Sequence, residues 1–366
     1  MSNGIGYEVD FLPVGNGERS GDAIAVRFGT LGSYKVLVYD GGTKESGQSL
    51  VNHIKEYYQT TRVDYLVNSH PDSDHATGLS VVMEQLTVGE MWMHRPWNYS
   101  TLILDYFKDG RLTGNSLEEQ LKERLAPAYE LEQLARRKKI SINEPFLGSR
   151  IGPFIVLSPE KEWYVHELIA SFEKSPEEEE LSLKKLAFKA LQEAGKRAVV
   201  WVAENWGIES LREDVETTAE NESSVVLYGA FEDHRVLLTG DAGIKALKLT
   251  ADVAHAYNIS VPIAPDCIQV PHHGSRHNIS STVLDRVVGP RKAVDNGVTT
   301  KDAVVSVSKG STTHPRKSVV NAFLRRGVRV VATKGRPIWC HNNMPLRVDW
   351  EPAVGIPFSA QVEPWD

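Results

Sequence analysis

Six residues constrain this chain more than any others: His70-Pro71-Asp72-Ser73-Asp74-His75. Four side chains able to bind a metal fall within that run, and the apolar, partly β-branched segment Val63 to Val67 delivers the chain into it. A loop at the carboxyl end of a strand can turn several side chains toward one point. Neutral imidazole nitrogen and charged carboxylate oxygen together suit one or two divalent cations. Two such ions a few Å apart can share a water, lower its pKa and clamp both attacking and leaving oxygens. The competing reading is a polar turn, in which Asp72, Ser73 or Asp74 caps a helix that begins near His75.

The same arrangement recurs along the chain. Asp40 ends the run Val36–Tyr39 and is followed by two glycines; Asp241 follows Arg235–Thr239; His272 and His273 follow Cys267–Val270. Each has a local explanation as a turn or loop residue. Together they put polar groups at several strand ends, where a rigid sheet scaffold presents its functional loops. Cys267 and Cys340, the two cysteines, form neither a CxxC pair nor a disulfide framework. They are read as reduced residues in or near the core, which leaves any metal to histidine and carboxylate.

Short apolar runs at Tyr7–Pro13, Asp22–Phe28, Tyr34–Tyr39, Val63–Val67 and Glu90–Met93 predict strands, with helices at 48–59 and 76–86. Strand signals return at Ser224–Gly229, Arg235–Thr239, Cys267–Val270, Ala303–Val307 and Val328–Ala332, with helices over 243–257 and near 316–326. Residues 97–220 are charged and mostly helical by pattern, with amphipathic helices over Leu117–Lys139 and Glu177–Ala198 and a brief strand at Pro153–Leu157. Two strand-rich halves predict a layered α/β sandwich, not an alternating dinucleotide-binding pattern. The domain reading is therefore a strand-rich body in two halves, 1–96 and 221–350. A helical insertion or lid covers 97–220, and a C-terminal tail covers 351–366.

Charge and hydropathy exclude some classes. The net charge of −7 opposes non-specific coating of nucleic acid. The distribution is uneven: residues 171–222 carry 13 acidic and 7 basic side chains, whereas 301–336 carry 9 basic side chains and a single acid, Asp302. No run of about 18 apolar residues predicts a membrane span. Met1–Asp10 lacks the features of a signal peptide, so a cytoplasmic protein without membrane contact is expected.

Tyr39-Asp40-Gly41-Gly42, Ser69 through His75, Leu237 through Ala242 and Pro271-His272-His273-Gly274-Ser275 resemble, in order, the motifs of metallo-β-lactamase-fold hydrolases. The likeness is greatest to the hydrolase domain of ComEC-type DNA-uptake proteins. Phe11 through Gly17 resembles that subgroup's opening strand and turn, Asn221 through Leu227 its strand before the Gly-Asp motif, and Ser306 through Pro315 with Arg329–Gly335 its final segment. The likeness covers about 1–95 and 221–345. Its departures are specific. Asp72 stands where the common first motif has a second histidine, a replacement the subgroup shares. No histidine precedes the Gly-Asp strand, where Asn221 and Ser223 lie. Pro13 occupies the opening turn.

The resemblance implies an αββα sandwich holding two divalent ions, zinc or manganese, with magnesium made plausible by the added carboxylate. It implies that His70 and Asp72 bind one ion, Asp74 and His75 the other, with Asp241 bridging and His272 completing the second site, the choice between His272 and His273 staying open. Asp40 would orient His70 or His75, and Asn221 and Ser223 would stand behind the ligands. Asp74 also carries a catalytic expectation, and His273 or His314 would contact the scissile group or protonate the leaving oxygen. The basic stretch then lies near the site, where Lys334, Thr313, Ser275, Ser311 and Thr312 would meet phosphate. His94, with Trp92, Trp97 and Tyr99, would line the cleft and stack on bases.

ComEC-type proteins carry membrane segments; without one, this chain is expected to be a soluble, stand-alone binuclear phosphodiesterase, foremost a nuclease, using a metal-activated water on nucleic acid or another phosphodiester. The alternatives are a small-molecule esterase or phosphodiesterase of the same fold and a catalytically inactive metal-binding interaction module. The 97–220 insertion would make any contact with a second copy or a partner protein.

Overall fold

Alternating small and large apolar residues let one strand serve two core layers. In the computed structural model, which describes residues 4–17, 20–107, 112–172, 201–295, 297–348 and 350–365, Ala23 and Ala25 face a helical layer. Ile24, Val26 and Phe28, between and beyond them, face an opposing sheet. Sheet one is built from β1 (Gly6–Phe11), β2 (Ala23–Thr30), β3 (Ser33–Gly41), β4 (Arg62–Val67), β5 (Thr87–Trp92) and β6 (Ser141–Asn143). Sheet two is built from β7 (Arg150–Ile151), β8 (Phe154–Ser158), β10 (Val226–Phe231), β11 (His234–Leu238), β12 (Cys267–Gln269), β13 (Lys301–Val305) and β14 (Val328–Ala332). Strand β15 (Ile338–Asn342) returns to sheet one, and β9 (Val202–Ala203) pairs with β16 (Gln361–Val362) in a small separate ribbon.

The orders are β15-β1-β2-β3-β4-β5-β6 and β14-β13-β12-β11-β10-β8-β7. Each sheet is antiparallel at one side and parallel at the other: β3 to β6 in sheet one, β11 to β14 in sheet two. Parallel neighbours need crossovers. Helices α1 (Lys44–Tyr57) and α2 (Ser73–Gln85) supply them in sheet one, and helices Ile244–Val253, Ser281–Val287 and Lys317–Arg325 supply them in sheet two. The helices cover the outer faces and the sheets pack on each other, which gives three apolar layers. This is the αββα sandwich expected from the sequence, and it is consistent with the metallo-β-lactamase fold.

Several boundaries differ from expectation. Strands β6, β7 and β8 fall inside 97–220 yet belong to the two main sheets, so that stretch is not a separable helical unit between residues 97 and 220. The single helix expected over Leu117–Lys139 is two, Gly114–Arg124 and Ala126–Arg137, broken at Leu125. Pro127 lies just beyond the break; it lacks the N–H that would continue the first helix and suits the start of the second. The helix expected over Glu177–Ala198 lies outside the described residues. Strand β15 was not anticipated; it closes sheet one by pairing with β1. The tail over 351–366 is docked, with the Ile356 amide donating to the Val330 carbonyl at 2.8 Å. Cys267 and Cys340 are buried and free, and they meet across the central layer. Among the described residues no helix is long and apolar enough to cross a membrane.

Candidate metal centre

The parallel strands of both sheets end at one place, which is where open α/β sheets hold ligands. Asp40 ends β3 in a left-handed conformation, φ 58°, and its carboxylate accepts from the Ser69 amide (2.7 Å), the Ser69 hydroxyl (2.6 Å) and His75 Nδ1 (2.8 Å). Beyond β4, the Asn68 side chain donates to the His70 carbonyl at 2.7 Å and shapes the loop. Asp72 takes the N-cap position of α2 but makes no capping hydrogen bond. Its carboxylate lies 3.7 Å from His70 Nε2 instead. The helix-cap reading of Asp72 is therefore not realised.

Sheet two contributes from the other side. Gln269 Oε1 accepts from the Thr239 and Gly240 amides, both at 2.9 Å, and so holds the turn into Asp241. The Asp241 amide donates to Ser224 Oγ at 3.1 Å, and Asn278 Nδ2 donates to the Asp241 carbonyl at 2.8 Å. After β12, His272 and His273 both adopt left-handed backbone, φ 46° and 55°, ahead of Gly274 at 81°. Left-handed non-glycine residues cost of order 1–3 kcal/mol each and persist where the surroundings impose them. Here the consequence is that both rings face Asp241.

One oxygen collects four imidazoles. Asp241 Oδ2 lies 3.4 Å from His75 Nε2, 3.7 Å from His272 Nε2, 3.8 Å from His70 Nε2 and 3.9 Å from His273 Nε2. All four are longer than a good hydrogen bond. They match ligands sharing an ion, since two atoms each about 2.1 Å from a metal at the tetrahedral angle sit roughly 3.4 Å apart. The opposite ring nitrogens are all engaged. His75 Nδ1 faces Asp40. His70 Nδ1 faces Ser69 Oγ at 2.9 Å, whose own proton goes to Asp40. His272 Nδ1 faces Asn278 Oδ1 at 2.9 Å, with Asn221 Nδ2 at 3.2 Å. His273 Nδ1 donates to the Ser306 carbonyl at 3.0 Å. Acceptors at Nδ1 assign the proton there and leave the Nε2 lone pair free, the form that binds metal. The Nε2 atoms of His70, His75 and His273, both oxygens of Asp22 and Oδ1 of Asp241 are buried without a hydrogen-bond partner. Divalent ions fit this donor set.

The electrostatics are those of an anionic cage. Burial alone would push His75 down, but Asp241 and Asp40 outweigh it and hold the ring well above the usual imidazole range. Burial would push Asp241 up, and His75, His272 and His273 hold it well below the usual carboxylate range.

The sequence-derived residues divide clearly. His70, Asp72, His75, Asp241, His272 and His273 come together, with Asp40 behind His75 and Asn221 behind His272. Asp74 lies in the first turn of α2 and belongs to neither His/carboxylate cluster among the described residues. His273 is the more enclosed of the pair, its side chain 8% exposed against 34% for His272. His314 is pushed down to about 3 by burial and then by Arg316 and the neighbouring histidines. Its Nδ1 is 3.0 Å from Thr313 Oγ1, which occupies Thr313 locally. Ser223 donates to the Glu220 carbonyl at 2.6 Å, and its neighbour Ser224 is the one that meets Asp241. Ser275 accepts from the His277 amide at 3.3 Å. His94 is buried between Tyr164 and Phe146, ring centroids at 4.4 and 4.7 Å, and burial pushes it down to about 3. It is a packed residue and not an open stacking surface.

Lys334 lines a groove of about 1340 Å³ along β14 and β15, together with Tyr7, Trp339 and Arg347; no ligand-cage residue lines it. Three arginines of the basic stretch are paired with carboxylates. Arg325 pairs with Glu204 (3.0 Å), Arg326 with Glu209 and Asp285 (2.8 Å each), and Arg329 with Asp302 (2.6 Å). Sequence reasoning missed Asp22, Ser224, Gln269, Asn278 and Ser306. Only Asp22 had a usable signal: Gly21-Asp22 at a strand edge is built like Gly240-Asp241.

The model of the family described as the Metallo-beta-lactamase superfamily matches residues 17–130, the span that carries Asp22, Asp40 and the His70–His75 run. No curated protein matches the sequence. Among solved structures, the metallo-beta-lactamase fold protein YhfI from Bacillus subtilis is 10% identical, over 92% of this chain and 100% of that one, with a TM-score of 0.43. Unliganded yeast PDE1 is 10% identical over 90% and 97%, TM-score 0.41. Zn(2+)-bound PqqB from Methylobacterium extorquens is 10% identical over 91% and 99%, TM-score 0.41.

Proposed function

We infer that this chain is a metal-dependent hydrolase acting on phosphodiesters. The observation that carries the reading is the convergence of four Nε2 atoms on Asp241 Oδ2, each ring with its Nδ1 already committed. His70, Asp72 and His272 would hold one ion, His75 and His273 the other, with Asp241 between them. Ions bound there would supply Lewis acidity toward a phosphoryl oxygen and a water acidic enough to attack near neutral pH. Manganese, zinc and magnesium all remain compatible with so carboxylate-rich a set. The protein's own part is to keep this site preorganised. Asp40 and Ser69 hold His75 and His70 in the metal-binding tautomer, Asn278 and Ser306 do the same for His272 and His273, and the left-handed pair fixes the rings before substrate arrives. Neutral His314, beside the cage, is suited to hydrogen-bond a substrate oxygen and not to protonate it.

The charge distribution favours a small phosphodiester over a long nucleic acid. A polymer needs a row of cations for its backbone, and Arg325, Arg326 and Arg329 are instead paired with internal carboxylates. Purified protein, given Mn²⁺, Mg²⁺ or Zn²⁺ in turn, is to be assayed against bis-p-nitrophenyl phosphate, single- and double-stranded DNA, and RNA. Metal-dependent turnover of the small ester is expected, and Asp241→Ala should abolish it. Cleavage of the polymers with the small ester untouched would restore the nuclease. Metal uptake with no turnover of any substrate would leave only a binding module.

A further inference from the structure

Asp22 opens β2 and is 1% exposed. Gly21 brings it there: a Cβ at Gly21 would sit 2.2 Å from the Asp74 carbonyl oxygen, so only glycine lets this turn lie against the first turn of α2. Both Asp22 carboxylate oxygens lack a hydrogen-bond partner, and Oδ2 lies 3.7 Å from His75 Nδ1, the nitrogen that faces Asp40. A buried carboxylate without hydrogen bonds is strongly disfavoured as an anion unless a cation meets it. One ligand atom each from Asp22, His75, Asp241 and His273 lie within 4.8 Å of one another. That is the span of ligands about 2.1–2.4 Å from a single ion.

We propose that Asp22 is itself a metal ligand, completing with His75, Asp241 and His273 a four-ligand set for one divalent ion, in the place the sequence reading assigns to Asp74. The set has two oxygens and two imidazole nitrogens, which suits manganese or zinc. The proposal rests on the metal-centre reading above and adds a residue from outside all four motifs. It also explains why a carboxylate whose two oxygens accept no hydrogen bond is enclosed beside His75.

The test uses the full-length protein, stripped by chelation and reloaded with Mn²⁺, Zn²⁺ or Co²⁺. Metal content after gel filtration, calorimetric affinity, the Co²⁺ absorption spectrum and the melting temperature are read for wild type, Asp22→Asn and Asp22→Ser, the smaller serine serving should the amide variant fail to fold. Asp22→Asn should lose one equivalent of metal or bind it at least about tenfold more weakly, with an altered Co²⁺ spectrum. Its melting temperature should rise less on reloading than that of wild type. A merely structural Asp22 would leave metal content, affinity and the Co²⁺ spectrum unchanged. Wild-type stoichiometry, affinity and Co²⁺ spectrum in both variants would overturn the proposal while leaving the centre intact. Absence of metal uptake by wild type would overturn the underlying reading as well.

Discussion

At the scale of single residues, the centre works by deciding which nitrogen of each ring carries its proton. A histidine on a flexible loop samples both tautomers. Here Asp40, Ser69, Asn278 and the Ser306 carbonyl each claim an Nδ1 proton and turn the Nε2 lone pair inward. His75 gives this a measurable consequence. Its pKa in the metal-free protein is raised from the ordinary 6.5, burial being outweighed by Asp241 and Asp40. A raised folded pKa adds stability that is fully present below about 6.5 and is lost as pH rises through the folded value. The stripped protein should therefore lose stability as pH climbs above neutrality. Metal must displace that same proton, so uptake near pH 7 should release protons and weaken as pH falls. Urea melts across pH, and titration heats compared between buffers of different ionisation enthalpy, check the two halves. Heats independent of buffer would contradict the assignment.

At the scale of elements, the ligand-bearing loop depends on how closely two helices meet. α1 and α2 cross through glycines: a Cβ on Gly78 would sit 1.9 Å from the Gly41 carbonyl oxygen, and one on Gly47 2.2 Å from that of Gly78. The Gly78 amide donates to the Gly42 carbonyl at 2.8 Å. This contact presses the N-terminus of α2, with Asp72 and His75, against the end of β3, where Asp40 waits. Gly78→Ala adds a methyl group with backbone on its far side, so relief requires α2 to shift. Overpacking of this kind should destabilise by about 1–3 kcal/mol. Because His75 moves with α2, metal affinity should fall together with the melting temperature, read by calorimetry and thermal melts of the same preparation. An unchanged affinity would mean that the helix contact does not position the ligand.

At the scale of the whole molecule, the centre is a clasp between two sheets. Sheet one brings His70 and His75, sheet two brings Asp241, His272 and His273, and β15 closes the far edge of sheet one after a return of more than three hundred residues. An ion held by both sheets favours the folded state by mass action, about 2.7 kcal/mol when free metal stands at a hundred times its dissociation constant. Chelation should lower the melting temperature by several degrees. It should also raise hydrogen exchange most at residues 69–75 and 271–275, less at the outer helices. Uniform deprotection, or none, would count against a clasp.

Much of this was open to reading along the chain. Strand periodicity, glycine at Gly41-Gly42 and Gly240, and the histidine and aspartate that follow the strands are local features. They announced the two-sheet sandwich, Asp40, His70, His75, Asp241 and the His272-His273 pair. Local pattern could not say which buried groups meet. Asp74 stands inside the histidine-aspartate motif and Asp22 outside every motif, and only the crowding of Gly21 against α2 puts Asp22 into the cluster. Arg325 and Arg326 look free until their carboxylate partners at 204, 209 and 285 are folded against them. Sequence determined where strands end and what chemistry stands at their tips, because backbone propensity and polar punctuation act over a few residues. Tertiary structure decided which lone pairs face a common point and which charges are already neutralised, because both depend on contacts between segments far apart in the chain.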